Sequence, residues 1–155
     1  MLLAQTLHMG PHLQTVAPGF TLFNHENKVI RLHQLFGEQG LLLGFTGDIW
    51  EPASVRRILW MQRHYMQFCK RGVGSALLTC DKPQMLSGFS MSSQVPLEFP
   101  LLADADHAIH EQYNMTRYAG LVLIDANQIL RDKWIVPDER VWPRPAELLA
   151  AIDRL

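Results

Sequence analysis

Two kinds of hydrophobic pattern alternate along this chain, and each predicts a different element. Continuous apolar runs at 40–45, 73–79 and 120–125 predict strands buried on both faces, as in a parallel sheet. Shorter runs at 20–23 and 28–32, separated by a polar turn, predict a β-hairpin. A further strand at 129–135 is expected to pair back on 120–125 across a second polar turn.

Apolar residues at helical spacing predict a long helix over 52–70. Pro52 suits its first turn, where a missing N–H costs nothing, and Gly72 suits its end. Arg56 and Arg57 are expected on its solvated face, with anion recognition as the lesser alternative. Further helices are predicted from Pro83, over 107–113 and over 145–155. The stripe expected to be buried on the long helix comprises Val55, Ile58, Leu59, Tyr65, Met66 and Cys69.

The resulting order is β-β-β-α-β-α-α-β-β-α. Its β-α-β segment requires a parallel crossover and its late hairpin is antiparallel, so we expect an α/β fold with a central mixed sheet flanked by helices. The 155 residues predict a single domain. We place that domain at 16–155, after an N-terminal extension at 1–15.

Composition and charge narrow the possible partners. The 14 basic and 15 acidic residues give a net charge of -1, so no single-sign surface for nucleic acid or an anionic membrane is expected. No apolar stretch approaches the ~20 residues of a membrane span. The first residues do not resemble a secretory signal, and two cysteines make no disulfide framework. We therefore expect a cytoplasmic protein with reduced thiols.

Four stretches carry a family resemblance by their order and spacing. Residues 16–22 resemble the motif AP-x-F-T-L, and residues 41–48 resemble the strand and turn that precede the active site. Residues 99–104 resemble the motif FP-L-L-S-D, and residues 120–125 resemble the motif G-x-F-x-I-D. Together they resemble the peroxiredoxin-like (AhpC/TSA, redoxin) branch of the thioredoxin-fold superfamily, over 16–155. The resemblance implies a thioredoxin-like fold with an N-terminal β-hairpin, and a thiol peroxidase or oxidoreductase of an antioxidant family.

The chain departs from this branch at the reactive turn. Trp50 and Ala53 stand at the positions where the branch carries cysteines, and Ala119 stands where it carries a proline or an arginine. A peroxidatic cysteine reacts as a thiolate, because a helix N-terminus and a nearby cation lower its pKa. Neither an indole nor a methyl group can replace it, and no cysteine precedes residue 69. We therefore expect the usual site to be redox-silent.

One hypothesis makes this turn a binding site for a protein, a peptide or a small molecule, with no cofactor. Trp50 could line a pocket or anchor a partner, or it could equally plug the vacated groove. Asp48 and Glu51 lack a third group for acid–base work, and Ser54 lacks an activating base. The resemblance also leaves a homodimer open. The residues of this candidate site are Asp48, Trp50, Glu51, Pro52, Ala53, Ser54 and Ala119.

The alternative hypothesis makes Cys80 an unconventional nucleophile. Cys80 follows the strand predicted at 73–79, at the sheet edge where ligands collect in α/β folds. Free cysteines are also commonly small buried hydrophobes, which is the simpler interpretation of Cys80 and of Cys69. A disulfide between Cys69 and Cys80 is left open.

A cluster of histidines and carboxylates suggests a third, weaker hypothesis. His107 and His110 are spaced to share one helix face, and with nearby carboxylates they could bind a divalent metal. Asp104 and Asp106 also fit the acidic start of a helix, which we favour. The main expectation therefore includes no metal site.

Overall fold

A seven-stranded mixed sheet forms the centre of the computed structural model, which describes residues 9–94, 96–136 and 141–155. The strand order is β2-β1-β5-β4-β3-β6-β7. β3, β4 and β5 run parallel and the other neighbours are antiparallel, as the predicted mixed sheet requires. The strands are β1 (Thr21–Asn24), β2 (Val29–Arg31), β3 (Gly40–Phe45), β4 (Val73–Thr79), β5 (Leu101–Ala103), β6 (Ala119–Asp125) and β7 (Leu130–Val136).

Four α-helices flank the sheet in the described ranges: α1 (Pro52–Cys69), α2 (Pro83–Ser92), α3 (Ala108–Gln112) and α4 (Pro145–Ile152). Proline opens α1, α2 and α4, where its fixed φ suits a first turn. Two buried hydrophobic clusters lie on the two faces of the sheet, because successive side chains of a strand point to opposite faces. None of the helices in these ranges is long and apolar enough to cross a membrane.

β5 is the strand that the sequence pattern did not predict. Its three residues are too few to show a period, and they become a strand by pairing with neighbours on both sides. Leu101 pairs with Leu77 of β4 in parallel, and Ala103 pairs with Phe23 of β1 in antiparallel. The insertion of β5 brings Asp104, the next residue, to the edge of the sheet beside the end of β4.

The buried stripe of α1 differs from the predicted one. Ile58 is buried as expected, but Leu59 and Met66 are 49% and 48% exposed. The buried positions lie mostly one residue earlier, which turns the buried face by about 100°. The pattern assigned Arg57 to solvent, whereas this side chain is buried, and that assignment displaced the predicted stripe. The residues buried on α1 are Ala53, Ser54, Arg57, Ile58, Met61 and Phe68.

The two cysteines are free and far apart. Cys69 ends α1 and is exposed, so its predicted place in the core is wrong. Cys80 follows β4 at the opposite end of that strand and is half-buried. A seven-residue strand separates its two ends by roughly 20 Å at about 3.3 Å per residue. A disulfide needs Cα atoms within about 7 Å, so Cys69 and Cys80 do not pair.

Part of the N-terminal extension is packed onto β7. Lys133 Nζ donates hydrogen bonds to the carbonyl oxygens of Met9 at 2.7 Å and Pro11 at 3.0 Å. The Gln14 N–H donates to the carbonyl oxygen of Leu130 at 2.8 Å. Residues 9–15 therefore contact the sheet, while 1–8 lie outside the described residues.

Candidate active site

The carboxyl ends of the three parallel strands meet at one edge of the sheet. Cys80 follows β4 and donates its N–H to the carbonyl oxygen of Gly47, which follows β3, at 3.1 Å. Asp104 follows β5 and donates its N–H to the carbonyl oxygen of Thr79 at 2.8 Å. Ligands of open α/β sheets bind at this kind of edge. The predicted position of Cys80 at this edge is confirmed.

Cys80, His110 and Asp104 form a linked thiol, imidazole and carboxylate. The buried Asp104 Oδ2 accepts from His110 Nδ1 at 2.7 Å and from the His110 N–H at 2.8 Å. Because Nδ1 donates its hydrogen bond to the Asp104 carboxylate, Nε2 is the ring nitrogen left for other partners. Cys80 Sγ lies 3.6 Å from Nε2 and 3.8 Å from Nδ1, so the sulfur contacts the ring between the two nitrogens and is out of line with the Nε2 lone pair. A nucleophile, a base and a group that orients the base are therefore in contact.

The imidazole and the carboxylate are held firmly in this arrangement. Phe45 packs edge-on against the His110 ring at 5.1 Å between centroids, and His110 is only 2% exposed. Burial by itself raises the pKa of the Asp104 carboxyl. Hydrogen bonds from the His110 ring, the His110 N–H and the Ile109 N–H outweigh it and hold that pKa below its ordinary value. Asp104 therefore stays charged and orients His110.

The Cys80 thiol is strongly disfavoured as a thiolate. Burial raises the pKa of Cys80 to about 12, and the charges of Asp104, Asp81 and Asp48 add to the shift. This is the opposite of the stabilised thiolate that the resemblance implies. Cys80 consequently rests as a neutral thiol near pH 7 and needs a base to react.

A pocket of about 160 Å³ opens over this thiol. A cavity of about 150 Å³ accommodates a molecule the size of benzene, so the pocket suits a small ligand. The lining includes Glu51 and Ala119, two of the candidate binding residues, together with Cys80. It also includes His110, Arg57 and Arg117.

The other residues of the candidate turn do not line this pocket. Trp50 is 74% exposed, so it does not plug the groove. Asp48 Oδ1 accepts the Trp50 N–H at 3.0 Å and shapes the turn. Pro52 and Ala53 form the first turn of α1. Ser54 is fully buried and its hydroxyl donates to the carbonyl oxygen of Thr46, so that hydroxyl is already engaged.

His107 and His110 do not share a helix face. His107 precedes α3 with a left-handed φ of 64° and is exposed, whereas His110 is buried against Asp104. Asp106 Oδ1 accepts the Ala108 N–H at 3.1 Å, which confirms the interpretation of these acidic residues as the start of a helix. Within the described ranges, no group of three His, Cys, Asp or Glu is arranged to hold a metal ion.

Comparison with known proteins shows the family of this chain. A model of the AhpC/TSA family matches residues 13–135, most of the chain. The chain belongs to the AhpC/TSA family. Peroxiredoxin Bcp of Escherichia coli K12 is 27% identical over 100 residues, 64% of this chain and 62% of that protein. A Coxiella burnetii protein with the same bcp name is 27% identical over 139 residues, 83% of this chain and 85% of that protein.

Solved structures of a peroxiredoxin and a peroxidoxin show the same thioredoxin-like fold. The reduced 2-Cys peroxiredoxin of Plasmodium vivax superposes with a TM-score of 0.81 at 20% identity, covering 91% of this chain and 80% of that one. Peroxidoxin BcpB of Mycobacterium tuberculosis superposes with a TM-score of 0.78 at 15% identity, covering 96% and 99%. The expected fold and family are thus confirmed.

Sequence reasoning missed the partners of Cys80 within this family fold. It considered Asp104 and His110 only for a metal or a helix start, and it favoured a solvated helix face over anion recognition for Arg57. The signal was the FPLLAD stretch at 99–104. If 101–103 is recognised as a strand parallel to β4, Asp104 must lie beside Cys80.

Proposed function

We propose that this AhpC/TSA-family protein is a thiol-dependent peroxide reductase whose reacting thiol is Cys80. The observation that carries the proposal is the contact of Cys80 Sγ with the His110 ring, which Asp104 orients, inside a pocket of about 160 Å³. The family supports peroxide as the substrate, and the small pocket suits hydrogen peroxide or a small organic hydroperoxide. The reacting group has moved from the turn at 47–53 to the end of the neighbouring strand.

The reaction begins with proton transfer, because Cys80 rests as a neutral thiol. The thiol turns into line with His110 Nε2, which lies 3.6 Å from the sulfur and takes the thiol proton, while Asp104 stabilises the imidazolium that forms. The sulfur then attacks the nearer oxygen of the O–O bond, which breaks with its electron pair on the leaving oxygen. His110 returns the proton to that oxygen. The products are the sulfenic acid of Cys80 and water or an alcohol.

An external thiol must complete the cycle. Cys69 ends α1, close to the first residue of β4, whereas Cys80 follows the last residue of that strand. Cys69 therefore cannot reach the sulfenic acid of Cys80. A small-molecule thiol therefore attacks the sulfenic sulfur, releasing water and leaving a mixed disulfide. A second thiol molecule attacks that disulfide, restores Cys80 and leaves with the first as their disulfide.

A sulfenic-acid trap read by mass spectrometry tests this proposal. Native protein is treated with hydrogen peroxide, and labelling of each cysteine is followed over time in wild type, Cys69→Ser and Cys80→Ser. We expect fast labelling at Cys80, retained in Cys69→Ser and abolished in Cys80→Ser. The matched reference is the same chain unfolded in denaturant.

Labelling of Cys80 no faster than in the unfolded chain would contradict the proposal. The exposed Trp50 side chain would then favour the alternative proposal, in which the turn at 47–53 binds a partner without redox chemistry. Equal labelling rates of Cys69 and Cys80 would also contradict the proposal of a Cys80 peroxide reductase, because the pocket would then give Cys80 no reactivity beyond that of an exposed cysteine.

A further inference from the structure

A second cavity, of about 220 Å³, lies at the end of β4 opposite to Cys80. It exists because β5 pairs only with residues 77–79 of β4, so that among the described residues no strand flanks 73–75 on that side. The length of β4 separates this space from the Cys80 pocket by roughly 20 Å. We call it the gap cavity, and its lining includes Leu35, Tyr65, Val73, Ser75, Glu98 and Phe99.

The floor of the gap cavity carries a buried hydroxyl group without a partner. Ser75 is only 9% exposed, and its Oγ has no hydrogen-bond partner among the described residues. Most buried polar side chains of proteins do have a partner, so this exception calls for an explanation. A ligand in the gap cavity would supply the missing hydrogen bond.

The main chain of Ser75 is open to the gap cavity as well. The Leu77 N–H donates to the carbonyl oxygen of Pro100 at 3.1 Å on the β5 side of β4. In a parallel ladder the carbonyl oxygen of Ser75, two residues earlier, would accept from the N–H of residue 100. Residue 100 is a proline and has no N–H, so this ladder bond cannot form. The floor therefore presents both a hydroxyl group and a carbonyl oxygen to a ligand.

A carboxylate at the mouth of the gap cavity favours a cation. Glu98 is exposed and is the one charged residue in the described lining. The Tyr65 hydroxyl donates to Glu98 Oε2, and the Glu98 N–H donates to Gln62 Oε1 at 3.1 Å. These two bonds hold the carboxylate in place and leave its Oε1 to accept from a ligand.

The walls between floor and mouth are apolar. Leu35, Val73 and Phe99 are buried, and the Tyr65 and Phe99 rings lie 6.4 Å apart between centroids. An apolar cavity with a few well-placed polar groups is the usual form of a small-molecule site. Since a cavity of about 150 Å³ accommodates benzene, the gap cavity has room for one aromatic ring with a short side chain.

We propose that the gap cavity is a binding site for a small phenolic amine. The ammonium group donates to Glu98 at the mouth, the ring packs between Leu35 and Phe99, and the phenol donates to Ser75 at the floor. This inference goes beyond the proposed function and does not depend on it, because the site contains neither Cys80 nor the groups around it.

The test uses tyramine as the probe and the two cysteines as reporters. Cys69 is exposed and lines the gap cavity, so a bound molecule shields it from alkylation. The iodoacetamide rate of each cysteine is read by mass spectrometry over a range of tyramine concentrations at low ionic strength. Cys80 is the internal reference, and the unfolded chain corrects for reagent consumed by the amine. The matched probe is 4-ethylphenol, which lacks the ammonium group.

Three variants separate the two ends of the proposed site. Glu98→Gln removes the charge at the mouth, and Glu38→Gln is its matched control, because Glu38 is an exposed carboxylate that lines a neighbouring cavity. Ser75→Ala removes the hydroxyl group at the floor. The Ser75 Oγ makes no hydrogen bond among the described residues, so Ser75→Ala should not lower the melting temperature.

We expect tyramine to slow alkylation of Cys69 to a saturating limit and to leave Cys80 unchanged. Glu98→Gln should raise the half-saturating tyramine concentration by about three- to tenfold and leave that of 4-ethylphenol within about twofold, while Glu38→Gln should match wild type. Ser75→Ala should raise the half-saturating concentration of both probes by about two- to tenfold. If Ser75→Ala does not fold, Glu98→Gln at the exposed mouth still decides the proposal.

Three results would overturn the phenolic amine site. They are an absence of saturable slowing at Cys69, equal slowing of Cys69 and Cys80, and a tyramine response that Glu98→Gln leaves unchanged. Since no peroxide is used, each of these results would leave the proposed function of Cys80 untouched.

Discussion

At the residue scale, the protonation state of the Cys80 thiol decides which reactions the pocket around it can perform. Burial and three nearby carboxylates raise the pKa of Cys80 to about 12, so the proton stays on sulfur until a base removes it. In the function we propose, His110 is that base, and Asp104 holds Nδ1 so that Nε2 is left to face other groups. The proposed reaction therefore activates the thiol during the reaction and does not use a stored thiolate.

The pH dependence of alkylation checks this assignment. The thiolate fraction of a group with a pKa near 12 rises about tenfold for each pH unit below that value. We expect the iodoacetamide rate of Cys80, measured in a Cys69→Ser background, to rise steadily from about pH 7 to about pH 10 without a plateau. A plateau below about pH 9 would show a stabilised thiolate and contradict the assignment.

Sequence alone could place Cys80 at a strand end but could not supply its partners. Cys80 and His110 are 30 residues apart, and only the insertion of β5 brings Asp104 and the start of α3 beside Cys80. The turn at 47–53 was predicted as the site because the resemblance implies that the family's reactive turn lies there. Among the candidate residues of that turn, Glu51 lines the Cys80 pocket, whereas Trp50 is exposed.

At the element scale, the buried face of α1 was predicted wrongly because one residue, Arg57, was assigned to solvent. The helix bounds could be predicted because Pro52 and Gly72 mark its ends. Its buried face could not, because counting Arg57 as polar and exposed turned the expected stripe by about one residue. Met61 is fully buried in the core, whereas Met66 is 48% exposed.

This orientation of α1 makes a paired prediction about stability. Met61→Ala deletes buried apolar atoms and leaves a cavity, so it should lower the free energy of unfolding by about 2–5 kcal/mol. Met66→Ala is the matched control and should change it by less than about 0.5 kcal/mol. Urea denaturation followed by circular dichroism measures both variants. A larger loss of unfolding free energy in Met66→Ala than in Met61→Ala would contradict this orientation of α1 and support the buried face that the sequence pattern predicted.

At the scale of the whole molecule, the strands of the sheet could be predicted from the sequence, but the order in which they pair could not. The fold was therefore predictable, whereas the site, which depends on that order, was not. Continuous apolar runs identify β3, β4 and β6 without any knowledge of their neighbours. The site depends on which strand ends meet, and that order places β5 between β1 and β4 although it comes later in the chain. The AhpC/TSA fold thus places Cys80 directly after β4, where we propose the reacting thiol.

The most direct test of this account is turnover of hydrogen peroxide in the presence of excess dithiothreitol. Rates are compared for wild type, Cys69→Ser and Cys80→Ser, each shown to be folded by thermal melting. We predict protein-dependent consumption that Cys69→Ser retains and Cys80→Ser reduces to the rate without protein. Equal turnover by Cys80→Ser, or none by wild type above the rate without protein, would contradict the assignment of peroxide reduction to Cys80.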